Sequence, residues 1–226
     1  KGVYKVSVIP PLDFPILCMV TDRFGCAGRP LEDVVAQAVE GGVGMVQLRE
    51  RDLSADALFE LAKRIREITR GRALLFVNDR VDVALAVGAD GVQLPESGLP
   101  VEAVRRMPGN WLLVGRSVHD VEGAVAAENY GADLLVAGSV FATASHPGRV
   151  PEGIELLHEL SGSVVVPYLG IGGVTAENVG VVMETGASGV AVITAVTESD
   201  DPRLAAHDLA GEISRTWAAA KTSVRP

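Results

Sequence analysis

Short apolar runs alternate with longer stretches whose apolar residues recur every third or fourth position, and the alternation repeats roughly every 25 residues. The runs cover residues 16–21, 45–48, 73–77, 91–94, 111–114, 134–137, 164–169 and 189–193, and each predicts a β-strand buried on both faces. Between them, residues 31–39, 55–69, 121–130 and 176–184 carry the helical period. Several strands share a lead-in of small residues, as in Gly88-Ala89-Asp90-Gly91, Gly131-Ala132-Asp133 and Gly186-Ala187-Ser188-Gly189. A glycine at that point closes the preceding helix in the left-handed conformation and turns the chain into the next strand.

Strands alternating with helices in this order predict βαβ units around a parallel sheet. Eight units are the number that closes a (β/α)8 TIM barrel. An open doubly wound sheet is the alternative, because a count of repeats does not show closure. No break in composition divides residues 1–226, so this α/β chain reads as a single TIM-barrel domain. Residues 1–14 form a lead-in arm and 221–226 a frayed tail.

Composition changes the picture in three ways. Hydrophobic residues make up 48% but aromatics only 4%, so the core is aliphatic, as parallel strands prefer. A net charge of −9 argues against a nucleic-acid partner, whereas a small anion held by local dipoles is compatible with it. No run is long enough to span a bilayer, and the N-terminal residues lack the pattern of a secretion signal, so the expected location is cytoplasmic. Cys18 and Cys26 fit no metal or disulfide spacing; Cys18 reads as core, and Cys26, in a Gly-rich loop, as either an exposed or a ligand-site thiol. A homo-oligomer is compatible with the sequence, which does not specify one.

In a barrel of this kind the site lies at the C-terminal ends of the strands. The polar residues following the apolar runs include Thr21-Asp22-Arg23, Gln47 with Arg49-Glu50-Arg51, Asn78-Asp79-Arg80, Gln93 with Glu96, and Arg116-Ser117-Val118-His119. Gly170-Ile171-Gly172-Gly173 and the end of the last strand, Ile193-Thr194, predict a phosphate site. Glycines let backbone N–H groups approach an anion, and a following helix adds partial positive charge. The plainer alternative there is a tight turn with Thr175 as helix N-cap. Arg49 and Arg51 suit a phosphate or carboxylate, or else they pair with Glu50 or Asp52 at the rim. His119 is the acid–base candidate, with capping of the next helix as its alternative role. His158 and His207 fall on helices away from the mouth. The loop 139–148, with Phe141 as an apolar anchor, has the length and hydroxyls of a lid, and Thr143, Ser145 and His146 lie within reach of a ligand.

Five of these segments together resemble one superfamily. Val20-Thr21-Asp22-Arg23, Val46-Gln47-Leu48-Arg49-Glu50, Asn78-Asp79-Arg80, Ala89-Asp90-Gly91-Val92-Gln93-Leu94 and Ile171-Gly172-Gly173-Val174 are similar, in order and spacing, to the thiamine phosphate synthase and TenI-like superfamily of (β/α)8 barrels. The resemblance implies one of two activities. A synthase joins an aminopyrimidine pyrophosphate to a thiazole phosphate with Mg2+; a TenI-like tautomerase isomerises a carboxythiazole phosphate without a metal. It also implies a metal carboxylate at Asp79 and a second at the place of Gly98. A lysine is implied at the places of Arg51 and His146. These departures, with Gly115-Arg116-Ser117-Val118-His119 resembling the tautomerase, predict a metal-free thiazole tautomerase, an isomerase in which His119 moves the proton. Gln47, Arg49, Arg51, Asn78, Ser117, Thr143, Ser145, Gly172, Gly173, Ile193 and Thr194 would bind the phosphorylated thiazole. The alternatives are the synthase, with Mg2+, a non-catalytic thiazole phosphate-binding regulator, and another phosphosugar barrel. The absence of lysine at a predicted strand end disfavours Schiff-base chemistry.

Overall fold

Ile16, Cys18 and Val20 of the first strand point into one aliphatic core, while Leu17 and Met19 point into another. That period of two on a strand buried on both faces is what a sheet closed on itself and wrapped by helices requires. In the computed structural model, which describes residues 12–107, 111–143 and 151–223, the strands and helices alternate around such a barrel.

The strands are β1 (Ile16–Val20), β2 (Met45–Leu48), β3 (Leu74–Asn78), β4 (Gly91–Leu94), β5 (Leu113–Val118), β6 (Leu134–Ala137), β7 (Tyr168–Ile171) and β8 (Gly189–Val192). The helices are α1 (Leu31–Glu40), α2 (Ala55–Thr69), α3 (Val81–Val87), α4 (Val101–Arg105), α5 (Val121–Asn129), α6 (Ile154–Ser163), α7 (Val179–Glu184), α8 (Thr194–Thr197) and α9 (Pro202–Ser223). All neighbouring strands are parallel and the barrel closes β1-β2-β3-β4-β5-β6-β7-β8, with Ile16 opposite Gly189 at the seam. The open-sheet alternative is excluded. Helix α9 packs on α1, α7 and β1 and so covers the seam.

Large and small residues interlock inside the barrel. Phe76 fills the interior where Gly91 stands opposite, since a Cβ on Gly91 would lie 2.5 Å from the Phe76 ring. Gly115 makes the same room for Gln93. Leu12 and Phe14 pack against this inner core.

Four expectations need correction. The fifth strand does not stop at residue 114 but continues to Val118, because Arg116 pairs with Leu94 and Val118 with Ala137; Ser117 is a strand residue. The seventh strand starts at Tyr168 rather than 164. Val165 is 94% exposed, and the N–H groups of Val165 and Val166 donate to the Glu128 carboxylate instead of to a neighbouring strand. The seventh helix starts at Val179, not 176. The Thr175 N–H donates to Asn178 Oδ1 at 2.8 Å, which makes residues 175–178 a turn and removes Thr175 as N-cap. Finally, the expected fraying from 221 is replaced by helix α9 running to Ser223. Among the described residues, no helix is long and apolar enough to cross a membrane.

Candidate active site

The C-terminal ends of the strands surround a cavity of about 520 Å³. It is lined by Gln47, Arg49, Arg51, Asn78, Ser117, His119, Thr143, Gly172, Gly173, Ile193 and Thr194. Every predicted site residue that is described therefore meets in one cup; Ser145 and His146 lie outside the described residues.

Its floor is neutral, part amide and hydroxyl (Gln47, Asn78, Ser117) and part aliphatic (Val20, Val136, Ala191). Gln47 Nε2 donates to Asn78 Oδ1 at 3.1 Å, joining β2 to β3. Gln93 Nε2 donates to Ser117 Oγ at 3.1 Å, joining β4 to β5, and the buried Gln93 Oε1 has no partner. Amides and hydroxyls at this depth suit a neutral ring with its own donors and acceptors.

The β1–β2 rim supplies cations. The loop after β2 alternates in charge, Arg49-Glu50-Arg51-Asp52, yet neither arginine of this run forms an ion pair with a described carboxylate. Both acids turn instead to Arg23, which donates to Glu50 Oε2 at 3.0 Å and to Asp52 Oδ1 at 2.6 Å. Glu50 is 5% exposed; it also accepts from Thr21 Oγ1 at 2.7 Å and from the Arg23 backbone N–H at 3.2 Å. Thr21 Oγ1 in turn accepts the Arg49 N–H at 2.9 Å, pinning the strand end that carries the arginine. Burial, and the neighbouring Arg51 charge, hold the Arg49 guanidinium below its ordinary pKa, while Asp22 and Glu50 pull the other way. The expected alternative, rim pairing of Arg49 and Arg51 with their sequence neighbours, is thereby set aside.

The β7–β8 rim is made of backbone. Gly172 (φ 107°) and Gly173 (φ 63°) turn where an L side chain is strained, and a Cβ on Gly173 would lie 2.8 Å from Phe141 Cβ. The loop after β6 packs onto them: the Val140 N–H donates to Ile171 O at 2.8 Å and the Phe141 N–H to Gly172 O at 3.0 Å. Residues 139–143 are thus anchored at the cup. Beside the glycines, Thr194 begins the single turn α8, in which the Val196 and Thr197 N–H groups donate to Ile193 O at 3.1 and 3.0 Å and those of Thr194 and Ala195 have no acceptor within the turn.

His119 stands on the wall between two acids. Its Nδ1 contacts Gly138 O and lies 3.5 Å from Glu152 Oε1; its Nε2 lies 3.8 Å from Glu96 Oε2. Glu152 also accepts the Ser139 N–H. Sequence reading missed Glu152 and the cavity-lining Glu198: Glu152 lies beyond the long loop, and no spacing ties it to His119. His158 and His207 are exposed on helices, as expected. Cys26 is not a ligand-site thiol. It is fully buried, its Sγ donates to Asp22 O at 3.4 Å, and burial raises its pKa. Cys18 is core, its thiol pushed up to about 12 by burial.

The metal site implied by the resemblance is not reproduced. Asp79 stands at the end of β3 in the left-handed region (φ 62°), but no second carboxylate faces it from residue 98. A Cβ on Gly98 would lie 2.7 Å from Asp79 Oδ1, so the aspartate occupies the space a side chain there would need. Among the described residues no group of three or more His, Cys, Asp or Glu side chains could hold a metal. The residues present do not fit a two-carboxylate magnesium site.

A closed parallel barrel whose mouth joins free guanidiniums, a neutral amide floor and a glycine loop belongs to the class of (β/α)8 enzymes that handle small anionic substrates. Residues 17–196 match the family described as thiamine monophosphate synthase, and the chain belongs to that family. It is 44% identical over 196 residues to the thiamine-phosphate synthase of Haloarcula marismortui, spanning 84% of this chain and 93% of that protein. It is 41% identical over 194 residues to that of Pyrococcus furiosus, spanning 85% and 92%. The solved thiamine phosphate pyrophosphorylase from Pyrococcus furiosus superposes with a TM-score of 0.82 at 40% identity, covering 89% of this chain and 96% of that one. A 3-hexulose-6-phosphate synthase at 17% identity and TM-score 0.68 shares the fold alone.

These relatives overturn the expected isomerase. The tautomerase reading rested on departures at residues 51, 98 and 146 and on the segment ending in His119, whereas similarity to proteins named synthases extends over more than four-fifths of the chain. Physically, His119 lines the cup as expected, but lining a cavity between two acids does not by itself define proton transfer.

Proposed function

We propose that the chain is a thiamine-phosphate synthase, a transferase that joins hydroxymethylpyrimidine pyrophosphate to thiazole phosphate. One observation supports the reading beyond family membership: the cup is lined at one side by Arg49 and Arg51 and at the other by the Gly172-Gly173 and Ile193-Thr194 backbone, two groupings suited to anions, with the Gln47–Asn78 amides between them. A carboxythiazole phosphate also carries two anionic groups, but its single carboxylate calls for less positive charge than the adjacent guanidiniums of Arg49 and Arg51 supply. A reaction between a diphosphate and a monophosphate needs both groupings.

In this reading Arg49 and Arg51 hold the diphosphate, the Gln47–Asn78 floor meets the pyrimidine, and the glycine loop holds the thiazole phosphate. The bond from the pyrimidine methylene carbon to the diphosphate oxygen breaks, and pyrophosphate leaves with the electron pair. The thiazole nitrogen lone pair then forms the new C–N bond. Leaving-group charge builds up beside preorganised guanidiniums, where electrostatic stabilisation is most effective. No proton moves at the bond-forming atom, so His119 serves as a wall and hydrogen-bonding group. Magnesium, which the resemblance associates with the synthase, finds only Asp79 among its expected carboxylates. The cytosol, where phosphorylated intermediates are retained, is the expected place of action.

Incubation with both substrates, with and without Mg2+, tests the reading by chromatography of the products. Thiamine phosphate and pyrophosphate forming one to one is the expected result; binding of both substrates without product would favour the non-catalytic binder.

A further inference from the structure

Neighbouring opposite charges in an exposed loop ordinarily neutralise one another. In Arg49-Glu50-Arg51-Asp52 they do not, because a residue from another loop takes both acids. Arg23 reaches Glu50 Oε2 at 3.0 Å and grips Asp52 with two nitrogens, one at 2.6 Å from Oδ1. Its guanidinium lies 4.3 Å from the centroid of the Phe24 ring, which holds the fork from its own side. Arg49 and Arg51 are left lining the cavity, with no ion pair to a carboxylate among the described residues.

We propose that Arg23 is a positioning residue that sequesters Glu50 and Asp52, keeping Arg49 and Arg51 available for the diphosphate of the substrate. The inference rests on the assignment of that rim to the diphosphate. A planar fork suits the task, since it satisfies two carboxylates at once where a lysine amine presents a single point charge. Without the fork, Asp52 is free to turn to Arg51, and the buried Glu50 charge acts on Arg49 without a counter-ion of its own.

Titration of the full chain with inorganic pyrophosphate in EDTA, by calorimetry, tests this without turnover or metal. Arg23→Gln is expected to weaken pyrophosphate binding roughly tenfold, the scale of one competing charge-assisted pair. Adding Asp52→Asn to it should return affinity to within about threefold of the parent, because the competitor has gone. In steady state the KM for the pyrimidine diphosphate should rise while that for thiazole phosphate stays unchanged. A purely structural role would not be rescued by Asp52→Asn, and that result overturns the proposal, as does unweakened binding by Arg23→Gln. Should Arg23→Gln fail to fold by circular dichroism, Arg23→Lys replaces it, with weaker binding and the same rescue expected and unchanged affinity contradicting. If the parent binds pyrophosphate and the rescue holds but no thiamine phosphate forms, the synthase reading fails and this inference stands. If product forms and the rescue fails, the reverse is true. A parent chain that binds pyrophosphate neither in EDTA nor with Mg2+ sinks both.

Discussion

The two ends of the cup solve the same problem with different materials. At β1–β2 the positive potential comes from side chains, Arg49 and Arg51, kept free by a network of Thr21, Arg23, Glu50 and Asp52. At β7–β8 the proposed phosphate site is backbone, turned by Gly172 and Gly173 beside Ile193 and Thr194. A side-chain end is tuned by substitution and fails gradually. A backbone end tolerates varied neighbours but fails when any side chain is added to its glycines.

The largest effect is therefore expected at the backbone end. Gly172→Ala adds a Cβ against Ser139 at a φ of 107°, so the loop must move. Strain at such a position costs about 1–3 kcal/mol, and kcat/KM should fall roughly 100-fold, through the KM for thiazole phosphate. A thermal melt together with steady-state kinetics checks both halves, and an unaltered KM would show that the phosphate lies elsewhere.

Arg49→Ala comes next, with pyrophosphate affinity expected to fall about 30-fold and thiazole phosphate affinity to stay within about twofold. Equal losses for both ligands would mean that the ends are not separate. Gly98→Asp probes the missing carboxylate. Its Cβ displaces the Asp79 carboxyl and Pro95, and Mn2+ affinity measured by electron paramagnetic resonance should rise about fivefold as two acids come to share the cation. No rise would show that the β3–β4 ends cannot form the pair. His119→Asn should have the smallest effect, under about threefold on kcat, because C–N bond formation needs no acid or base. A loss of a hundredfold or more would return proton transfer to the mechanism.

Much of the fold was legible. The second, fourth and sixth strands fall on residues 45–48, 91–94 and 134–137 as the apolar runs predict, because strands buried on both faces leave a continuous apolar signature. The misses lie where the barrel meets water. Ser117 and Arg116 look like loop residues yet extend β5: Ser117 faces inward near the mouth, where a polar residue is free to stand, and Arg116 faces outward and donates to Leu99 O and Glu96 O. Val164, Val165 and Val166 look like strand, yet a tertiary bond to Glu128 takes the N–H groups of the last two. The site's composition was legible from strand ends, but its wiring was not. Arg23 meets Glu50 and Asp52 from 27 and 29 residues away, and Glu152 meets His119 from beyond the long loop. The activity was not legible: the changes at Arg51, Gly98 and His146 point to the tautomerase, and it is similarity to proteins named synthases over most of the chain that outweighs them.

The central claim is that one cavity holds two anions at once. Calorimetric titration of thiazole phosphate into the chain already saturated with pyrophosphate measures it directly. Binding at one equivalent with affinity undiminished, lost in Gly172→Ala but kept in Arg49→Ala, is the predicted result. Mutual displacement of the two ligands would contradict it.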